Sequence, residues 1–283
     1  MFQVNGANRW VDLGIFSFQS SEPVKILLII FYAWLLSNIM ERNNINKFVK
    51  GFIFPLLWLL PVMGILVLVQ NHLSATIVIV LIIGIMMLIA GVKMRYFLGC
   101  GIPVAILGIV VLFLRAIITG EGAFRLNRLT SFFDPFKDAT NTGYQVVQSL
   151  YAIGSGGLFG VGLGKSTQKY LYLPEAHNDF IFSIIAEELG FVGCIFIISL
   201  FVIFIWRGII IAVNAKDTFG SLIAIGITSM IGLQALINIG VVTSSIPNTG
   251  MSLPFFSYGG TSLIILLISV GVLLNISRTI DLK

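Results

Sequence analysis

The sequence predicts an all-α, polytopic membrane protein, and three observations lead to this fold class. Of the 283 residues, 57% are hydrophobic. A further 10% are charged, against about 25% in a soluble domain. Seven apolar runs are long enough to cross a bilayer, which takes about 20 residues. These predicted spans are residues 23–40, 51–70, 73–92, 97–118, 179–206, 218–243 and 259–277.

Lysine and arginine predict the orientation of the spans. Nine of these residues lie in four short loops on one side of the predicted bundle, and the short loops on the other side have none. Because cytoplasmic loops are enriched in Lys and Arg, the basic side is cytoplasmic and Asp179 faces outward. The basic loops are 41–50, 93–96, 207–217 and 278–283, and the uncharged ones are 71–72 and 244–258.

The same distribution of charge excludes a nucleic-acid partner. The net charge of +5 comes from cytoplasmic loops and does not form a basic binding face. The two cysteines, Cys100 and Cys194, lie in separate spans and serve as small apolar side chains.

Residues 1–283 form a single membrane domain with one large extracytoplasmic loop at 119–178. Loops of this length usually carry function or are disordered. A short surface helix is expected from Tyr144 to Ala152, and a glycine-rich stretch follows. A P-loop is excluded because Phe159 occupies the position of its first glycine.

Asp179 is the main candidate for chemistry, because ionisable groups at membrane spans are costly and mark functional sites. A helix through this region would place Ser183, Ala186 and Gly190 on the same face as Asp179, forming a small polar stripe along a crevice. A structural role stays open, since Asn178 or Asp179 could cap the first turn. Glu187 and Glu188 are expected to be structural charges paired with a basic group.

Several outward residues are candidates for substrate binding. Arg125 and Arg128 are three residues apart, and with Lys165 they suit a phosphate group. His177 is a weak metal candidate, since further Cys or His partners are missing. A hard divalent cation, Mg²⁺ or Mn²⁺, held by Asp179 and a substrate phosphate is the expected form of any metal site.

The last outward loop, residues 246–262, has two prolines, three glycines and several hydroxyl groups, including Ser257. Irregular backbone at membrane depth is tolerated where it is buried or lines a cavity. We expect this loop to pack over the crevice at Asp179; a simple re-entrant turn is the alternative.

Together these residues resemble the SEDS family (shape, elongation, division and sporulation), which comprises FtsW, RodA and SpoVE, with closer similarity to the FtsW/SpoVE branch. The family has ten spans, and this chain resembles spans four to ten without the first three. The matching stretches are 5–10, 19–25, Asp134-Pro135, 143–145 including Gln145, 148–149, the glycine-rich stretch, 173–190 and 247–262.

The resemblance implies a peptidoglycan glycosyltransferase that polymerises lipid II outside the bacterial cytoplasmic membrane, with Asp179 as the essential aspartate. Gln145, His177 and Ser257 join the basic residues as substrate-binding candidates. A class B penicillin-binding protein is the implied partner. Two alternatives stay open, a lipid II flippase that uses Glu187 or Glu188 and an inactive scaffold of the division machinery. Division, elongation and sporulation roles are not separated by the sequence.

Overall fold

A computed structural model describes residues 2–4, 7–12, 17–70, 72–101, 103, 108, 132, 135–136 and 143–280. Within these ranges, five helices are long and apolar enough to cross a membrane. They confirm the predicted all-α, polytopic membrane class. The five are Ser21–Glu41, Phe48–Val69, Ile181–Asn214, Thr218–Val242 and Gly260–Arg278.

A small antiparallel sheet precedes the first span. Strands β1 (Phe2–Val4), β2 (Ala7–Asp12) and β3 (Ser17–Gln19) pair in that order. The sequence predicts a polar loop here and not a sheet. The sheet is missed because strands of three to six residues hold too few positions for an alternating pattern to be recognised.

The first two spans contact each other through a backbone carbonyl. Helix α1 (Ser21–Glu41) carries Tyr32, whose hydroxyl donates a 2.7 Å hydrogen bond to the carbonyl of Pro55. Helix α2 (Phe54–Gly64) contains Pro61 and is flanked by the π-helical turns Phe48–Ile53 and Ile65–Val69. Proline interrupts helical hydrogen bonding, so the irregular turns agree with its presence in this span.

Helix α3 (Leu73–Ile89) is apolar but shorter than the five long helices. A three-residue helix, α4 (Met94–Tyr96), and a π-helical turn, Phe97–Gly101, follow it. Most of the predicted span 97–118 lies outside the described residues.

Further helices follow in the described part of the chain from residue 143 onward. Helix α5 (Tyr144–Gly156) extends the predicted surface helix by one turn, and its buried face includes Val147 and Ser149. The helices that follow are α6 (Gln168–Leu171), α7 (Ile181–Asn214), α8 (Thr218–Val242) and α9 (Gly260–Arg278).

Helix α7 is too long for a simple span. Its 34 residues extend roughly 51 Å, whereas the hydrocarbon core is about 30 Å thick. Gly190 has φ 67° and ψ −166° and divides the helix. The part from Phe191 to Asn214 is long enough to cross the membrane alone. Glu187 and Glu188 lie before this break, so neither carboxylate has to enter the hydrocarbon.

The chain divides into two compact units. The second unit contains all the described candidate site residues. The first unit comprises Met1–Tyr96, Val202–Leu233 and Gly259–Lys283, and the second comprises Phe97–Phe201 and Gln234–Tyr258.

Glycines allow close helix packing in the first unit. A Cβ at Gly226 of α8 would lie 2.6 Å from Cγ2 of Ile29 and 3.0 Å from Sδ of Met86. A Cβ at Gly208 of α7 would overlap the side chain of Thr228. Small residues at helix contacts are typical of membrane proteins, where packing drives helix association.

We expect Gly226→Val to lower the stability of the protein, because overpacking a close helix contact costs about 1–3 kcal/mol. Gly271→Val on α9 is the matched control, since no atom lies within 4 Å of a Cβ there. Thermal unfolding of the two variants in the same detergent measures the difference. Equal melting temperatures for both would contradict close packing at Gly226.

Candidate active site

Asp179 lies in the turn that precedes α7, two residues before the helix begins at Ile181. It is half-buried. The predicted polar stripe is therefore wrong, because Asp179 is not part of the helix that carries Ser183. The Ser183 hydroxyl is fully buried and shares a 2.7 Å hydrogen bond with the hydroxyl of Ser149 on α5. That face of α7 packs against protein and does not line a crevice.

Asn238 holds the backbone of the Asp179 turn. This α8 side chain is completely buried, and its Nδ2 donates to the carbonyls of Asp179 at 2.7 Å and Met251 at 2.6 Å. One amide therefore connects the end of α8, the turn before α7 and the loop after α8. Asn238 is not among the residues predicted from the sequence, although an amide side chain within an apolar span is a signal of this kind.

The loop after α8, residues 243–258, packs on the Asp179 turn. The Ser257 hydroxyl donates to the carbonyl of Asn178 at 2.6 Å and accepts from the amide of Leu253 at 2.7 Å. The amide of Tyr258 donates to the carbonyl of His177 at 2.8 Å. These contacts confirm that the loop packs over the turn.

Gly250 brings the backbone of this loop against the carboxylate. It has φ +64°, and a Cβ built on it would lie 3.2 Å from Oδ2 of Asp179. A side chain at this position would be strained and would crowd the carboxylate. The loop therefore has a glycine at a point where its backbone lies against the Asp179 carboxylate.

Gln145 joins helix α5 to the same loop. Its Oε1 accepts a 3.0 Å hydrogen bond from Nδ2 of Asn248, and Oδ1 of Asn248 accepts from the amide of Gly250 at 3.2 Å. The side-chain oxygen of Gln145 is thus used inside the protein, in support of the loop beside Asp179.

The glycine-rich loop, residues 156–164, replaces the helical hydrogen bonds that are lost at Gly190. In a continuous helix, the amides of Phe191 and Val192 would donate to the carbonyls of Glu187 and Glu188. Here those carbonyls accept from the loop, and the two amides donate to it. The four bonds are Val161 N to Glu187 O at 2.9 Å, Gly162 N to Glu188 O at 3.1 Å, Phe191 N to Gly157 O at 2.9 Å and Val192 N to Leu158 O at 3.1 Å.

This exchange depends on glycine at the contact points. A Cβ at Gly160 would overlap the carbonyl oxygen of Glu188, and a Cβ at Gly190 would overlap the amide of Gly160. Both glycines also have positive φ, at +79° and +67°. A Cβ at Gly156 would overlap the carbonyl of Ala186. Backbone meets backbone here, so no side-chain adjustment can relieve the overlap.

The side chains of Glu187 and Glu188 bind the segment that follows the glycine-rich loop. Glu187 is 1% exposed and accepts from the hydroxyl of Ser166 and from the amide and hydroxyl of Thr167, both at 3.0 Å. Glu188 accepts from Nζ of Lys169 at 2.6 Å. This hydrogen bond raises the pKa of Lys169 above its ordinary value. Both carboxylates thus have structural partners, and Lys169 is the basic one.

The remaining predicted substrate-binding residues are His177, Lys165, Arg125 and Arg128. The side chains of His177 and Lys165 are exposed. Arg125 and Arg128 lie outside the described residues. In the part of the chain that the structure describes, no group of three or more His, Cys, Asp or Glu side chains could hold a metal ion.

Residues 1–281 match the family described as FtsW/RodA/SpoVE cell cycle proteins, which are membrane proteins of the class defined by the fold above. The chain belongs to this family. It is 46% identical over 274 residues to stage V sporulation protein E of Bacillus subtilis (strain 168), covering 97% of this chain and 72% of that protein. It is 44% identical over 272 residues to a probable peptidoglycan glycosyltransferase FtsW of Geobacter sp. (strain M18), covering 96% and 71%.

Solved structures of related proteins also match the fold of this chain. A chain in a peptidoglycan synthase complex, described as coordinating polymerization and crosslinking, matches with TM-score 0.76 and 27% identity, covering 100% of this chain and 76% of that one. The rod shape determining protein RodA of Thermus thermophilus matches with TM-score 0.66 and 28% identity, covering 100% and 73%.

We expect Asn238→Leu to destabilise the second unit. The change removes the donor to two carbonyls, and each buried unsatisfied acceptor costs about 1–3 kcal/mol. Asn275→Leu on α9 is the control, because Asn275 is exposed. Hydrogen exchange of residues 175–182 and 248–254, measured by mass spectrometry, reports on the two ends of the contact. Unchanged protection of both segments would show that Asn238 does not hold them.

We expect Gly160→Ala to release the glycine-rich loop from α7, because the new Cβ would overlap the backbone of Glu188. Gly154→Ala on α5 is the control, since no atom lies within 4 Å of its Cβ position. Limited proteolysis of folded protein should cut residues 157–170 faster in the first variant alone. Equal cutting rates would contradict the pairing.

Proposed function

We propose that this protein is a peptidoglycan glycosyltransferase that polymerises lipid II at the outer face of the bacterial cytoplasmic membrane. Membership of the family and the name of the FtsW relatives support the reaction class. The observation that carries the proposal is the half-buried Asp179 in a turn fixed by Asn238 and Ser257.

Asp179 acts as the general base in this proposal. Its carboxylate takes the proton from the 4-hydroxyl of the acceptor sugar while that oxygen attacks the anomeric carbon of the donor. The bond between the anomeric carbon and the pyrophosphate oxygen breaks, and undecaprenyl pyrophosphate leaves with the bonding electrons. Such a proton transfer contributes about 10²–10⁴-fold to the rate.

The hydrogen bonds to the Asp179 turn serve this role by fixing the position of the base. A catalytic group must lie within hydrogen-bonding reach of the proton that it takes, and small displacements are costly. Asn238 and Ser257 bind the backbone carbonyls of Asp179 and Asn178, and so hold the backbone of the turn in place. Gln145 contributes indirectly, through Asn248 and the loop.

Positive charge near the site would stabilise the leaving pyrophosphate. The exposed Lys165 is available for this role, together with Arg125 and Arg128, and His177 would contact the sugar or phosphate. A divalent cation, Mg²⁺ or Mn²⁺, would take most of its ligands from the pyrophosphate and water. The reason is that, within the described residues, no group of three or more His, Cys, Asp or Glu side chains could hold the ion by itself.

The glycine-rich loop suits a lipid-linked substrate. It pairs with Phe191 and Val192 at the start of the membrane-crossing part of α7, the end that the distribution of basic residues predicts to face outward. Leu158, Phe159 and Leu163 are 64%, 80% and 76% exposed, and Lys165 follows them. Apolar side chains beside a cation match the polyprenyl tail and the pyrophosphate of lipid II.

The partner in this proposal is a class B penicillin-binding protein that crosslinks the new glycan chains. A related chain comes from a peptidoglycan synthase complex, which supports a partner of this type. Similarity to both stage V sporulation protein E and FtsW supports a role in sporulation or division.

A transporter function is less well supported. A flippase needs charged groups along a path through the bilayer, and Glu187 and Glu188 were its candidates. Both carboxylates instead hold the segment from Ser166 to Lys169, before the membrane-crossing part of α7 begins. This observation favours glycosyl transfer.

We expect Asp179→Asn to lower the rate of glycan polymerisation by at least about 10²-fold, because the amide cannot accept the proton. The assay uses purified lipid II and the protein with its co-purified partner. Glu175→Gln, an exposed change in the same turn segment, should keep the wild-type rate. Wild-type glycan synthesis by the Asp179→Asn variant would refute the assignment of the base.

A further inference from the structure

A groove lies between α7 and α9 in the first unit. Its volume is about 250 Å³. Its walls are apolar except for Arg207 and Ser277. The groove is lined by Phe204, Arg207, Gly208, Ile210, Ile211, Val270, Leu273, Leu274, Ser277 and Ile280.

Arg207 is the charged group of this groove. The Ser277 hydroxyl donates to the carbonyl of Leu274 at 2.7 Å, within its own helix. Arg207 is exposed and has no ion pair among the residues that the structure describes. The groove thus combines an apolar wall with one cation that is available to an anionic group.

The position of Arg207 along α7 fits the inner boundary of the membrane. It lies 17 residues after Gly190, which corresponds to roughly 25 Å of helix, close to the thickness of the hydrocarbon core of about 30 Å. Trp206 is 61% exposed, as expected of an aromatic residue at a membrane interface. Arg207 and Arg278 both belong to the side that the distribution of basic residues predicts to be cytoplasmic.

We propose that this groove binds one anionic phospholipid of the cytoplasmic leaflet, with a segment of an acyl chain between α7 and α9 and the phosphate on Arg207. The volume is below the 300–1,000 Å³ of typical small-molecule sites, so it holds part of a chain and not a whole soluble ligand. Basic pockets between membrane helices on the cytoplasmic side are typical sites for anionic headgroups.

The choice of an anionic lipid rests on charge. A purely apolar groove at the edge of a helix pair would accept the chain of any bilayer lipid. A cation at the headgroup level adds about 1 kcal/mol for an anionic lipid, which corresponds to a preference of about fivefold. Binding of zwitterionic lipid with equal strength, or occupation of the groove by the helix of another protein, would contradict the choice of an anionic lipid.

Native mass spectrometry of the full-length chain, released from detergent with phosphatidylglycerol or phosphatidylcholine, tests the proposal. The wild-type protein should retain phosphatidylglycerol about fivefold better. Arg207→Gln should abolish this preference. Lys216→Gln is the matched control, because Lys216 is an exposed cation of the same predicted cytoplasmic loop that does not line the groove. Ser277→Phe should fill the groove and reduce the retention of both lipids.

A second measurement uses the unmodified protein and so does not depend on how the variants fold. Spin-labelled phosphatidylglycerol in vesicles should show an immobilised fraction that decreases as salt screens Arg207. Three results would overturn the proposal. They are equal retention of the two lipids by the wild-type protein, an unchanged preference in Arg207→Gln, and an equal loss in Lys216→Gln. Failure of glycan synthesis in the Asp179 experiment would not affect this test.

Discussion

The exchange of hydrogen bonds at Gly190 is the interaction on which the second unit depends. A helix cannot be interrupted inside a membrane protein unless the freed carbonyls and amides find new partners, because an unsatisfied backbone group costs several kcal/mol in an apolar environment. The glycine-rich loop supplies all four partners. The loop is therefore part of the bundle, and the break in α7 is the place where it binds.

The same break explains how charged side chains are accommodated in so apolar a chain. Glu187 and Glu188 precede Gly190, and their side chains bind the segment from Ser166 to Lys169. Their carbonyls bind the glycine-rich loop, so each glutamate holds both the loop and the segment that follows it. The membrane-crossing part of α7 that follows contains no carboxylate. The two glutamate carboxylates thus have hydrogen-bonding partners before the chain enters the hydrocarbon. Asp179 lies elsewhere, in the half-buried turn before α7.

Asp179 precedes α7, and its position is fixed by contacts to the backbone of its turn. Asn238 from α8, Ser257 from the following loop and Gly250 beside the carboxylate all come from the last third of the chain. These contacts fix the backbone of the turn that carries the Asp179 side chain. The lipid groove at Arg207 is built differently, from the sides of two helices, which fits a ligand that needs little orientation.

The sequence by itself determined the membrane class, the membrane-crossing helices that the structure describes and the choice of Asp179. These properties follow from hydrophobic runs and from the cost of charge in a membrane, which are local. It also led to the expectation that the loop after α8 covers the Asp179 turn. The tertiary structure alone decided that Asp179 precedes its helix, that Asn238 holds it and that the glycine-rich loop completes α7. Those contacts join residues 26 to 59 positions apart, and no local pattern specifies which carbonyl a distant amide will meet.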